Sequence, residues 1–290
     1  MCWSGEASAV MATAGFVGAA FEYRKAIIKN VTTGKSEVEV DGYLSRHRLR
    51  AFTLFYFSLM ELLQAWNYIY LGTPGPMNAL GAFLGFLHIS FQPIPTIWFA
   101  LSFLPKSRLR YWFARGTIIA TISSALFLLK GILNPSLPGC FAVQCMPGDS
   151  VLAIIQGHGV MGCSPDMLFK SYPGEWHIAW QWAMNSCGWI ASAGYTFVAF
   201  GLPALAGSYR IMLYSFALGP LLAYFLTGNP DEWAAIWCLL SIGFLTVAKL
   251  PFIRGFMTVE HESWKDTFEW LQQTVGRVAD GIEAFTLQSK

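Results

Sequence analysis

From Ala79 to Phe103 the chain runs for 25 residues without an Asp, Glu, Lys or Arg. About 20 apolar residues at ~1.5 Å each cross the hydrocarbon core of a bilayer as a helix. A run of this length excludes an ordinary soluble domain, and 54% hydrophobic against 12% charged residues agrees. The pattern predicts an all-α polytopic membrane protein with seven transmembrane helices, over residues 4–22, 51–71, 79–103, 111–133, 176–203, 210–228 and 233–253. The first is short and Ala/Gly-rich, and no Lys or Arg precedes it. It therefore lacks the charged start of a secretory signal and reads as a retained helix.

Basic residues orient the bundle, because cytoplasmic loops carry the excess of Lys and Arg. Arg24, Lys25, Lys29, Lys35, Arg46, Arg48 and Arg50 crowd one connection, Lys106, Arg108 and Arg110 the next on that side, and Arg210 a third. The intervening connections 72–78 and 229–232 have none. This predicts an outer or lumenal N-terminus and a cytoplasmic C-terminus. The net charge of +2 is a topology signal, with no basic patch interleaved with aromatics for nucleic acid.

Polar side chains inside such helices are costly and mark candidate function. Glu61, Gln64 and Asn67 lie in the second predicted helix, with Glu61 near the bilayer centre. His88 and Gln92 stand four residues apart, as do His177 and Gln181, so each pair shares a helical face. His88 falls at the depth of Glu61 on an antiparallel neighbour, and the two are expected to pair, sharing a proton or a metal ion. The candidate catalytic residues are Glu61 as base or ligand and His88 as ligand or proton shuttle, with Gln64, Gln92, His177 and Gln181 as ligand-binding groups. A divalent metal held by Glu61, His88 and His177, or a haem, is the candidate cofactor. His177 begins its helix near the outer mouth, ~10 Å shallower than His88, so a shared ion requires a sunken or tilted fifth helix. The alternative is a non-catalytic receptor, transporter or assembly subunit that uses the same residues for ligand binding or as interhelical glue. Pro93 and Pro95 break the third helix and free carbonyls beside His88. Lys249, near the inner end of the last helix, is expected to snorkel to the cytoplasmic interface. No H-E-x-x-H, phosphate-loop or G-x-S-x-G pattern occurs.

The long outer connection 134–174 is expected to cap or lid the bundle. Cys140, Cys145 and Cys163 in that connection, with Cys2, are disulfide candidates in an oxidising space. The membrane domain spans 1–254. Beyond it, in 255–290, Trp264, Phe268, Leu271, Val275, Val278, Ile282 and Phe285 alternate at spacings of four and three. That apolar seam predicts a cytoplasmic helix that docks on its own bundle or on a protein partner.

The opening Met1-Cys2-Trp3-Ser4, the segment from His88 to Pro93, and Glu175-Trp176-His177-Ile178-Ala179-Trp180 resemble a family of uncharacterised multi-helix membrane proteins that share such a start. The resemblance extends to about Arg254. It implies a membrane topology and no activity.

Overall fold

The computed structural model describes residues 4–29, 33–73, 75–132, 142–143, 169–182, 184–185, 194–241 and 243–258. Its helices are α1 (Gly5–Ile27), α2 (Glu37–Asp41), α3 (Arg46–Ile69), α4 (Pro76–Phe91), α5 (Pro93–Leu101), α6 (Lys106–Ile132), α7 (Gly194–Leu226), α8 (Pro230–Ser241), α9 (Gly243–Lys249) and α10 (Pro251–Met257). Two short antiparallel pairs complete it: β1 (Ala142–Val143) with β4 (Met184–Asn185), and β2 (Phe169–Pro173) with β3 (Ile178–Trp182). The protein is mostly helical. Among the described residues, four helices are long and apolar enough to cross a membrane: Pro76–Leu101, Lys106–Leu129, Gly194–Leu226 and Asp231–Lys249.

Ser4 caps α1 by accepting from the Ala7 amide, and Ser45 caps α3 by accepting from Arg48. These two helices pack antiparallel. Phe16 meets Phe55 at 5.4 Å between ring centroids, and Glu22 meets His47 at the far end. Ser8, Ala12, Gly15 and Ala19, small residues three or four apart, lie on the buried face of α1 and let the backbones approach closely. The break between α4 and α5 falls at Gln92, before Pro93. Pro93 has no N–H for the Ile89 carbonyl, and the Tyr195 hydroxyl donates to it instead at 2.6 Å. Tyr56 donates to the His88 carbonyl, and Thr53 to that of Pro95 at 2.8 Å. Every carbonyl named here is met by a hydroxyl of α3 or α7. α7 bends sharply at Gly207, where φ is +112°. Its first arm starts at Tyr195 beside Ile89, and its second ends with Tyr224 against Trp233.

One span differs from expectation. Residues 176–203 do not form a continuous helix, because Ile178–Trp182 is a strand paired residue for residue with Phe169–Pro173. Ile178, Ala179 and Trp180 are at most 2% exposed, so the hairpin is packed inside protein, where non-helical backbone is tolerated at membrane depth. The fold is therefore not purely α.

Apolar side chains also cover the outside. Ile118, Ile122 and Leu126 on α6 and Leu213 and Phe225 on α7 are each more than half exposed. Only 28% of the most apolar stretch of α6 is buried, against 61% for α4 and α5. A surface of this kind is stable against lipid and not against water. The four cysteine candidates Cys2, Cys140, Cys145 and Cys163, nearly all of the outer connection and the heptad segment 264–285 lie outside the described residues.

Candidate functional site

Glu61 projects from the middle of α3 and is wholly buried. Ser8 of α1 approaches its carboxyl, and the carboxylate acts electrostatically on Tyr68 and on Cys238 of α8. Gln64, nearly one turn along, donates to the Ala235 carbonyl at 3.2 Å. Gln92, at the break between α4 and α5, lies 3.9 Å from the Cys238 thiol through its amide oxygen. Four helical segments thus converge on this point. Among the described residues, neither Glu61 oxygen, nor Gln64 Oε1, Asn67 Oδ1, Gln92 Nε2 or His88 Nε2 meets a partner at hydrogen-bonding geometry. So many buried and unmet polar atoms call for a bound polar group, since each costs about 1–3 kcal/mol when left dry.

Glu61 and His88 do not pair. The His88 ring stacks on Tyr56 with centroids 3.9 Å apart, edge-on to Phe57. Tyr56 and Glu61 are five residues apart on α3, which rotates their side chains by ~140° and separates them by ~7.5 Å along the axis. Equal depth therefore did not bring the two residues to one face. His177 stands in the tight turn between β2 and β3. No group of three His, Cys, Asp or Glu side chains converges as a metal site among the described residues. Gln181 contributes a backbone pairing to Lys170 in the hairpin.

The second polar centre lies at the hairpin end of the helices. His177 Nδ1 accepts the Ile178 amide at 2.7 Å and stands 2.9 Å from the Tyr68 hydroxyl, which places the proton of the neutral ring on Nε2. Burial pushes the imidazole pKa down to about 3, opposed by the nearby Glu232 carboxylate. Glu232 opens α8 and is itself buried. It accepts the backbone amides of Glu175, Trp176 and His177 at 2.7–2.9 Å, and the Thr227 hydroxyl at 3.2 Å. A single carboxylate thus satisfies the turn of the hairpin. Asn78 locks the adjoining strand by donating to the Ser171 carbonyl at 2.8 Å and accepting its amide at 2.9 Å.

The third centre is at the basic end. The buried Glu22 receives Lys25 and Lys249, each at 3.2 Å, and His47 at 2.7 Å. Lys249 is thus tied to a carboxylate of α1 and not only to the interface. Sequence reading passed over Glu22 and Glu232, because each stands near a helix end where an acidic residue is unremarkable. Nothing local to the sequence told that Glu232 reaches a turn 55 residues earlier.

Residues 30–258 match the model of a family described as a family of unknown function, DUF5765. The chain belongs to this family. No curated protein and no solved structure matches it. The matched span contains Glu61, Gln64, His88, Gln92, His177, Glu232 and Cys238, so most of the buried polar cluster lies within the DUF5765 region, whereas Ser8 and Glu22 precede it.

Proposed function

We propose that this protein is a multi-pass membrane receptor or carrier that holds a small polar or cationic ligand at Glu61, with Gln64 and Gln92 as its hydrogen-bonding groups. The observation that supports it is a wholly buried carboxyl approached by Ser8 and without a charged partner among the described residues, beside two half-satisfied amides. In a low-dielectric interior such a group is kept either as the neutral acid or as the counter-ion of a bound cation. The reading includes seven helical passes: α1, α3, α4 with α5, α6, the two arms of α7, and α8 with α9. It also sets the end bearing Glu22, His47, Arg48 and Lys249 in the cytoplasm, where basic residues collect.

A lipid-soluble carbodiimide, which attacks protonated carboxyls, tests the site in liposomes. The expected result is one adduct, located at Glu61 by peptide mass spectrometry and absent in Glu61→Gln. The same variant is expected to melt no lower than the wild type in detergent, because it removes a costly buried acid rather than a structural bond. A variant that fails to accumulate as folded protein, or an unlabelled Glu61, would overturn the proposal.

A further inference from the structure

A groove of about 520 Å³ runs along the outer face of α1 and α3, lined by Phe16, Ala19, Ala20, Tyr23, Arg48, Ala51, Phe52 and Phe55. Alanines make its floor and aromatic rings its walls, with Phe52 and Tyr23 about half exposed. From Arg48 to Phe55 it extends seven residues along α3, ~10 Å into the apolar zone. Only one end is charged.

That charge is the informative part. Three arginines alternate at the start of α3, and two of them turn inward. Arg46 donates to the Leu104 carbonyl at 2.6 Å, and Arg50 binds both the hydroxyl and the carbonyl of Ser102 at 2.9 Å, capping the end of α5. Arg48 is exposed and its guanidinium meets no bond among the described residues. Tyr23 follows Glu22, which bonds His47, and it lines the groove together with Arg48. The two side chains frame the mouth of an otherwise apolar slot.

We infer that this groove binds an anionic glycerophospholipid, one acyl chain lying on Ala19, Ala20 and Ala51 and the phosphate on Arg48. Charge complementarity selects this occupant: a guanidinium offers paired donors to a phosphate, whereas an apolar partner helix would bury Arg48 unpaired. The inference rests on α1 and α3 crossing the bilayer, as proposed above.

Native mass spectrometry of the full chain in non-ionic detergent, with dioleoyl phosphatidylglycerol or dioleoyl phosphatidylcholine added, tests it. One phosphatidylglycerol should be retained, with about fivefold preference over phosphatidylcholine, the weight of one basic group at an anionic surface. Arg48→Gln should abolish the preference, and Ala20→Leu, at an exposed floor position, should reduce both lipids. Arg24→Gln, a neighbouring exposed charge outside the groove, should change nothing. Equal retention of both lipids by the wild type, or an unchanged preference in Arg48→Gln, would overturn headgroup selection. Retention of neither lipid would instead show that this face is not in the bilayer. Displacement by glycerol phosphate alone would point to a phosphate site without a chain, and a dimer lost in Ala20→Leu to a second copy in the groove; each overturns the lipid assignment.

Discussion

Glu232 gathers three backbone amides and a hydroxyl onto one buried carboxylate, and the turn it holds carries His177. The neutral imidazole of His177 accepts on Nδ1 from Ile178, a bond that protonation destroys. Its pKa is held near 3, whereas in the unfolded chain it would titrate at the ordinary histidine value of about 6.5. Below the unfolded value the unfolded state binds the extra proton, so stability falls as pH drops from about 6.5 towards 3. Thermal unfolding in detergent across this window should show a melting temperature that declines with acidity. His177→Asn keeps a side-chain acceptor that does not titrate there, and should flatten the decline. An identical pH profile in the two proteins would show that His177 titrates exposed in the folded state. None of this was legible from residue types alone. His177 was singled out as a ligand-binding group near a helix start, but it is buried and its partners come from α3 and α8, across 109 and 55 residues.

At the scale of single elements, the backbone itself is the determinant. Gly207 has φ of +112°, and a Cβ there would stand 2.4 Å from Arg108 Nη1. The Arg108 guanidinium, the far end of a flexible side chain, can shift aside, but the backbone region is one that L residues rarely adopt, and this alone should make Gly207→Ala destabilising by roughly 1–3 kcal/mol. Gly194→Ala, with open space at the same atom, is the control and should melt near the wild type. Equal melting of the two variants would show that the bend is not fixed by Gly207. The helices α3, α4, α6 and α8 were legible because apolar periodicity is strong over such lengths. The strand β3 was not, for a definite reason. A spacing of four, as between His177 and Gln181, keeps two residues on one face in both a 3.6-residue helix and a two-residue strand. Only Ile178, Trp180 and Trp182, alternating with Ala179 and Gln181, hinted at the period of two. Similarly, Pro93 announced a break in the third helix, but the hydroxyls of Tyr56, Thr53 and Tyr195 that satisfy it come from elsewhere in the chain.

For the whole molecule, the polar groups are sorted by end. Glu22, Arg46, His47, Arg48, Arg50, Lys106, Arg108 and Lys249 meet where α1, α3, α5, α6 and α9 begin or finish. Tyr172, Glu232, Asp231, Asn78 and Ser171 meet at the other end, joined by bonds such as Tyr172 to Asp231 at 2.7 Å. Between them lie Glu61 and its neighbours, with exposed apolar side chains all around. The proposed orientation sets the basic end in the cytoplasm, where Lys and Arg collect. Val40 and Met77, 57% and 49% exposed, report on the two ends without touching the buried centres. In intact cells a membrane-impermeant maleimide should label Met77→Cys and leave Val40→Cys untouched until the membrane is permeabilised. The reverse pattern would turn the molecule over and place the Arg48 groove in the outer leaflet. Labelling of both from outside would mean that no pass separates Val40 from Met77, and α3 would then lie along the membrane rather than across it.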